Sequence, residues 1–464
     1  MRSIILAASL ALATACVPTD GNQVTKGLAP EPAGTNTAAP ALAFTANPAF
    51  ASAPAGSSRG NAVIAQDFID LSFIMESGRV LPTFSRFEGT VTIALAGDVP
   101  ATAGPEMTRL IKRFRNEAGI DMRSAAPGEK ASITVTFGSK SELRRLAPTA
   151  ACFVVPNVSS VADYKAKRGT ATVDWTNVVQ RQHVGIFVPS DASPQEVRDC
   201  LNEETAQAMG PLNDLYRLPD SVFNDDNFHS VLTSFDMLIL RAYYSPEIRS
   251  GMSREQVSAK IPGIINRLNP GGVGRGSAGN VSMTTKAWKV AIETALGGNA
   301  GQATRRAAAE RSLMIARAQG WTDGRLAFSH FAIARLYVGS DRALAVQQFT
   351  LAADIYRKQP GASIQVAHIE MQLAAIAVAN GQPEQAIAFA DRAIPVVRRG
   401  ENYALLATTQ LIKAEALDML GRGVEAQALR VDSQQSARYG FGSDAQVRAR
   451  TREIAALGAR GSRG

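Results

Sequence analysis

The sequence predicts an α+β domain, a mixed sheet with one prominent helix, followed by an all-α solenoid of repeated helix pairs. Three observations predict it. Strand-like and helix-like segments alternate from residue 61 to 270, a glycine- and serine-rich run fills 271–283, and beyond it alanine-rich helices repeat, with loop residues Ser340, Gly381 and Gly421 at intervals of 41 and 40. A chain of 464 residues that is 45% apolar and 19% charged has the balance of two or three folded domains. That balance excludes both a polytopic membrane protein and a wholly disordered chain. The net charge of +8 is unevenly held: residues 1–283 carry 26 basic and 26 acidic groups, and residues 284–464 carry 23 and 15.

At the start, Met1 and Arg2 precede an apolar stretch, 4–15, that is too short to span a bilayer and ends in small residues. Residues 1–15 are expected to be a lipoprotein signal peptide. The run Leu12-Ala13-Thr14-Ala15-Cys16 resembles a bacterial lipobox, which implies lipid on Cys16 and a membrane anchor without a transmembrane helix. Val17 rather than an acidic residue follows. The resemblance then implies the cell envelope, at the outer membrane facing the periplasm. Residues 16–60 are rich in Ala, Pro, Gly, Thr and Ser and bury too little apolar area to offset ordering entropy, so they read as a flexible tether. Two cysteines remain, Cys152 and Cys200, and an even remainder in an oxidising compartment suggests a disulfide.

The domain at 61–270 opens with an apolar-periodic helix expected at 65–77, then a β-branched strand at 90–95. Over 107–118, Met107, Leu110, Ile111 and Phe114 share one helical face. Further strands are expected at 132–137, 152–155 and 184–188. Ser193 caps the next helix and Pro194 is its first residue; it runs to about Met209 and stops at Gly210-Pro211, where the glycine is expected to adopt positive φ. Helices at 235–244 and 253–268 close the domain.

The helix after Ser193 holds the most specific signal, E-E-x-x-Q-x-x-G-x-x-N-D, spelled Glu203, Glu204, Gln207, Gly210, Asn213 and Asp214. It resembles the extended HExxHxxGxxH motif of the metzincin and matrixin zinc peptidases, in which two histidines one helical turn apart and a third after the glycine hold zinc, and a glutamate activates water. The resemblance implies a zincin-like fold, with Glu204 at the general-base position and Glu203, Gln207 and Asn213 at the ligand positions. All three histidines are replaced. Ser221-Val222-Phe223 lies about where the turn beneath the metal would be, with Phe in place of Met. The run from Cys200 to Asp226 also resembles an uncharacterised bacterial lipoprotein family, a domain-of-unknown-function group with this motif followed by an S-[IV]-F-N-D segment. That likeness implies export and no assigned activity.

Ligand chemistry decides what the motif can do. Zinc prefers imidazole and thiolate, and the motif offers carboxylate and amide oxygens, so neither zinc nor another resident cofactor is expected. Oxygens of Glu203, Gln207, Asn213 and Asp214 suit at most a weakly held divalent cation such as calcium or magnesium. His183 and His229 lack HxH or HxxxH partners and read as structural polar residues. No G-x-S-x-G elbow, P-loop or C-x-x-C is present.

Past the linker, Ala345-Phe349-Ala352 and Ala386-Ala390-Ala393 repeat small or apolar residues at i, i+4, i+7, and Ala426-Arg430-Ser433 is a degenerate third copy. The spacing resembles the second helix of tetratricopeptide hairpins, and implies a superhelix over 284–464 whose concave face binds a protein or peptide. Helices at 284–296 and 303–318 start the stack and 444–457 caps it. Arg305, Arg306, Arg398, Arg399, Arg448, Arg450 and Arg452 could match an acidic partner or envelope polymer. Nucleic acid is not expected, since aromatic interleaving is absent. The leading expectation is a lipid-anchored, non-catalytic zincin-like domain joined to a protein-binding scaffold. The rivals are a metal-dependent hydrolase using Glu204 as general base, and an envelope-polymer binding module.

Overall fold

The computed structural model describes residues 57, 59–148, 150–276, 282–298 and 300–461. The expected signal peptide, lipid-bearing Cys16, nearly all of the tether and residues 277–281 of the linker lie outside them. The chain divides into two compact units. Of the described residues, one unit holds those from Ser57 to Asp225 and His229–Met283; the other holds Thr284 onward together with Asp226–Phe228.

The first unit begins with α1 (Asn61–Phe73), four residues earlier than the apolar period places it. Asn61 explains the start: its side-chain amide donates to Asn266 Oδ1 (2.8 Å) and to the Asn269 carbonyl (2.9 Å). The helix also ends earlier than expected, because the chain reverses at Gly78, φ 82°, and Ile74 bridges to Val80. Next come β1 (Val91–Gly97), α2 (Ala103–Ala118), β2 (Met122–Ser124) and β3 (Ile133–Gly138). α2 buries Met107, Leu110, Ile111 and Phe114 as a single stripe and ends at Gly119 in the left-handed conformation. Then follow α3 (Lys140–Leu146), β4 (Phe153–Pro156), α4 (Val161–Lys167), β5 (Val184–Pro189), α5 (Pro194–Met209), α6 (Ser234–Tyr243) and α7 (Arg254–Leu268).

The five strands form one mixed sheet in the order β2-β1-β3-β5-β4. β1 pairs in parallel with β2 and β3, β3 pairs in parallel with β5, and β4 runs antiparallel at the edge. All six residues of β5 are buried, which accounts for its continuous apolar run rather than an alternation. One face of the sheet joins the main core, where Ile93, Val135 and Ile186 meet Phe68, Phe114 and Leu201. A smaller cluster of Leu143, Leu146, Val155, Val158 and Phe187 forms a second core.

The second unit is a run of sequentially packed helices: α8 (Lys286–Leu296), α9 (Gln302–Ala318), α10 (Gly324–Tyr337), α11 (Arg342–Arg357), α12 (Ser363–Ala379), α13 (Pro383–Arg399), α14 (Tyr403–Met419), α15 (Gly423–Phe441) and α16 (Asp444–Gly461). Ala345, Phe349 and Ala352 on α11, Ala386, Ala390 and Ala393 on α13, and Ala426 and Ser433 on α15 are all buried, so the repeated positions are where paired helices meet. Gly381 and Gly421 take positive φ, 72° and 74°, in the turns between helices. α12 is buried nearly all round. α16 packs on α15, on α14 and also on α12, so it does more than extend the stack by one helix. Asp226–Phe228 is held against α10–α12: the Phe228 ring meets Phe328, Phe331 and His368 edge-on at 4.6 to 5.9 Å, and Gln365 donates to Asp226 at 3.3 Å.

Candidate functional site

The site is built on α5, whose start is fixed by local chemistry. Ser193 Oγ accepts from the Glu196 amide and the Glu196 carboxylate accepts from the Ser193 amide, a reciprocal capping box ahead of Pro194. Cys200 on this helix is bonded to Cys152 just before β4, with 6.0 Å between Cα atoms, and ties α5 to the sheet edge. The far end is closed by Arg181. Its guanidinium donates to the carbonyls of Gln207 (2.6 Å), Ala208 (2.7 Å) and Gly210 (2.5 Å) and stacks on Trp175 at 4.8 Å. A buried cation thus bonds carbonyls at the helix end, where most lack an intrahelical partner, and faces the negative end of its dipole. Burial lowers the Arg181 pKa to about 10, still far above neutrality.

Gly210 departs from expectation. Its φ is −176°, extended backbone open to any residue, so it does not end the helix through positive φ. A β-carbon there would lie 2.5 Å from the ring of Tyr243 on α6, so close packing of that ring is what requires glycine.

Of the sequence-predicted residues, Glu204, Asn213 and Asp214 turn inward, while Glu203 and Gln207 are half-buried. Glu204 is 5% exposed, Asn213 1% and Asp214 3%. Gln207 Nε2 donates to Asp214 Oδ2 (3.3 Å), and Asn213 Nδ2 donates to the backbone carbonyl of Asp70 on α1 (3.0 Å). Glu204 Oε2 is buried without a hydrogen-bond partner. Burial, reinforced by the Asp214 and Glu76 carboxylates, pushes the Glu204 pKa up to about 8. Glu203 is half-buried and its pKa is raised well above the ordinary range, first by burial and then by Glu204 and Asp225. At neutral pH Glu204 therefore keeps its proton.

These side chains do not fit zinc. Two of the three ligand positions are amides, whose neutral oxygens are poor zinc ligands, and the third is a half-buried carboxyl whose pKa is raised well above the ordinary range, which opposes the ionised form that zinc requires. Among the described residues, no three His, Cys, Asp or Glu side chains are grouped to hold a metal ion. The segment Ser221-Val222-Phe223 is tied to α6 instead: Ser221 Oγ donates to Asp236 Oδ1 (2.5 Å), the Val222 amide to Asp236 Oδ2 (3.2 Å), and the Phe223 side chain is fully buried. His183 and His229 bond the carbonyls of Ala131 (3.2 Å) and Pro219 (2.9 Å).

Residues 61–263 match a family described as proteins of unknown function, DUF2927. The DUF2927 stretch spans α1 through most of α7 and so contains the whole sheet and the motif helix. No curated protein and no solved structure matches the chain.

Beside the motif of the DUF2927 stretch lies a buried ion network that sequence reading missed. Asp67 and Asp70, one turn apart on α1, accept from Arg217 at 2.9 and 2.7 Å. Arg59 bonds Asp67 as well, reaches Asp220 at 3.3 Å and lies over the Phe235 ring. Asn213 joins the motif to this network through the Asp70 carbonyl. The available signal was two aspartates at i, i+3 inside an apolar helix, a pattern that requires buried cations nearby. Arg217 is three residues past Asp214, but nothing local marks Arg59 or Arg181.

Proposed function

We propose that this protein is a lipid-anchored scaffold of the cell envelope, in which a zincin-like but non-catalytic first unit is joined to a tetratricopeptide-like array that binds a protein partner. One observation carries the non-catalytic part: three of the four side chains at the ligand and general-base positions are engaged in or buried by the fold, with Gln207 on Asp214, Asn213 on Asp70 and Glu204 closed off. A general base must lie within hydrogen-bond reach of the water it activates, and the Glu204 carboxyl is closed off from solvent. The binding part is supported by the stacked helices α8–α16, since such arrays present large continuous surfaces. Anchoring rests on Leu12–Cys16 in the sequence, and no described helix is long and apolar enough to cross a membrane. Outer-membrane residence facing the periplasm follows from Val17 after the cysteine.

Elemental analysis of the purified chain, paired with peptide and ester hydrolysis assays on wild type and Glu204→Gln, tests the reading. It predicts substoichiometric metal and no activity that depends on Glu204. Stoichiometric metal together with cleavage abolished by Glu204→Gln establishes a hydrolase instead.

A further inference from the structure

We infer that the groove between α8 and α9, at the open end of the array, is a docking site for an acidic amphipathic helix. This rests on the scaffold reading and names its surface and partner chemistry. Within the second unit, Phe228 covers part of α10 and α12, and α16 lies on α12 and α14, so those helices already have occupants. The first hairpin differs. Trp288 turns toward α10, where its indole N–H donates to Ser329 (2.9 Å), and Val290 is two residues on, about 200° round the helix at 3.6 residues per turn. Val290 and its neighbour Ala287 therefore face away from the rest of the stack.

On that side α8 and α9 enclose a groove of about 570 Å3, floored by small side chains such as Ala287 and Ala307. Val290 is 49% exposed in it, and Met314, one turn beyond Arg311 on the same stripe of α9, is 64% exposed. Small residues flanked by uncovered larger apolar ones are what a further helix needs in order to seat its ridge between two others. This is also the edge where a solenoid would add its next helix, and natural arrays make such an edge polar when nothing binds it.

Charge selects the occupant. Lys286 and Arg311 line the groove, and residues 284–319 hold six basic groups (Lys286, Lys289, Arg305, Arg306, Arg311, Arg317) against Glu293 and Glu310. A helix with leucines along one stripe and glutamates on both flanks satisfies the apolar floor and the basic rim together.

The probe is a fluorescein-labelled synthetic peptide of about sixteen residues with that pattern, read by anisotropy at low salt against the full chain. A second peptide carries lysine in place of every glutamate. The acidic peptide is expected to bind, and to lose at least tenfold in affinity with Val290→Glu and with Lys286→Glu/Arg311→Glu. The lysine peptide is expected to gain affinity for the charge-reversed variant, an outcome that misfolding cannot produce. Absence of binding to wild type, or equal binding by both variants, overturns the proposal. So does sedimentation showing that the groove joins two copies of the chain in a dimer lost with Val290→Glu, or binding of anionic phosphatidylglycerol vesicles in place of the peptide. If cross-linking recovers the same partners from membranes with wild type and Val290→Glu, the scaffold reading stands and only this groove falls.

Discussion

Glu204 is the residue at which a catalytic and a structural account part. Its pKa near 8 in the fold, against an ordinary value of 4.5, means that the folded state keeps a proton which the unfolded state releases. By linkage, the stability this group contributes is greatest below pH about 4.5, falls as pH rises toward about 8, and then levels off, because over that window its folded form binds a proton that the unfolded form has released. Glu204→Gln removes the ionisable group while keeping its shape. It is expected to raise stability at pH 7 by on the order of 2 kcal/mol and to flatten the pH dependence of the thermal midpoint between pH 5 and 8. Thermal melts of both proteins across that range check this. A destabilised Glu204→Gln, or an unchanged slope, contradicts the assigned burial. At this scale, the sequence named the motif residues correctly as neighbours, because helical spacing alone brings Glu203, Glu204 and Gln207 together. It could not name Arg181 or Arg59, since the helix-end carbonyls that Arg181 bonds are 26 or more residues away and the carboxylates that Arg59 bonds up to 161. Gly210 was legible as a necessary glycine, but for the wrong reason: only the packed structure brings the Tyr243 ring against it.

At the scale of elements, α5 is the hub, capped at its start by Ser193 and Glu196, closed at its end by Arg181 and tied at its middle by the disulfide. The bridge spans 48 residues of sequence, a loop whose closure contributes about 4 kcal/mol in the chain-entropy account. Guanidinium unfolding of wild type and of Cys152→Ser/Cys200→Ser is expected to differ by about that amount. Uptake of two thiol-alkylating groups by the intact, unreduced protein contradicts the bridge. The long elements were legible because their periods are strong: α2 and the repeated helices α11 and α13 repeat a buried stripe, and β3 and β5 are runs of β-branched and aromatic residues. The missed elements lacked such a pattern. β2 is three residues long with only Met122 buried, and α3 and α4 are two-turn helices whose few apolar residues serve the minor core. The ends of α1 were misplaced because polar Asn61 starts it through contacts with distant Asn266 and Asn269.

At the scale of the whole molecule, the uneven charge and the two-unit division coincide: all of the +8 falls beyond residue 283, in the array. The division itself was legible from the change of period and the glycine run. The exception is Asp226–Phe228, which belongs by sequence to the DUF2927 stretch yet packs with the helices. No period or composition could have foretold that, since a tripeptide has neither. The central claim is that the motif helix is structural and the protein acts by binding. Quantitative co-purification from native membranes, comparing the tagged wild-type chain with Glu204→Gln, tests it most directly. The account predicts the same protein partners in equal amounts with both chains; a wild-type chain with no stoichiometric partner, or a partner set that changes with Glu204→Gln, contradicts it.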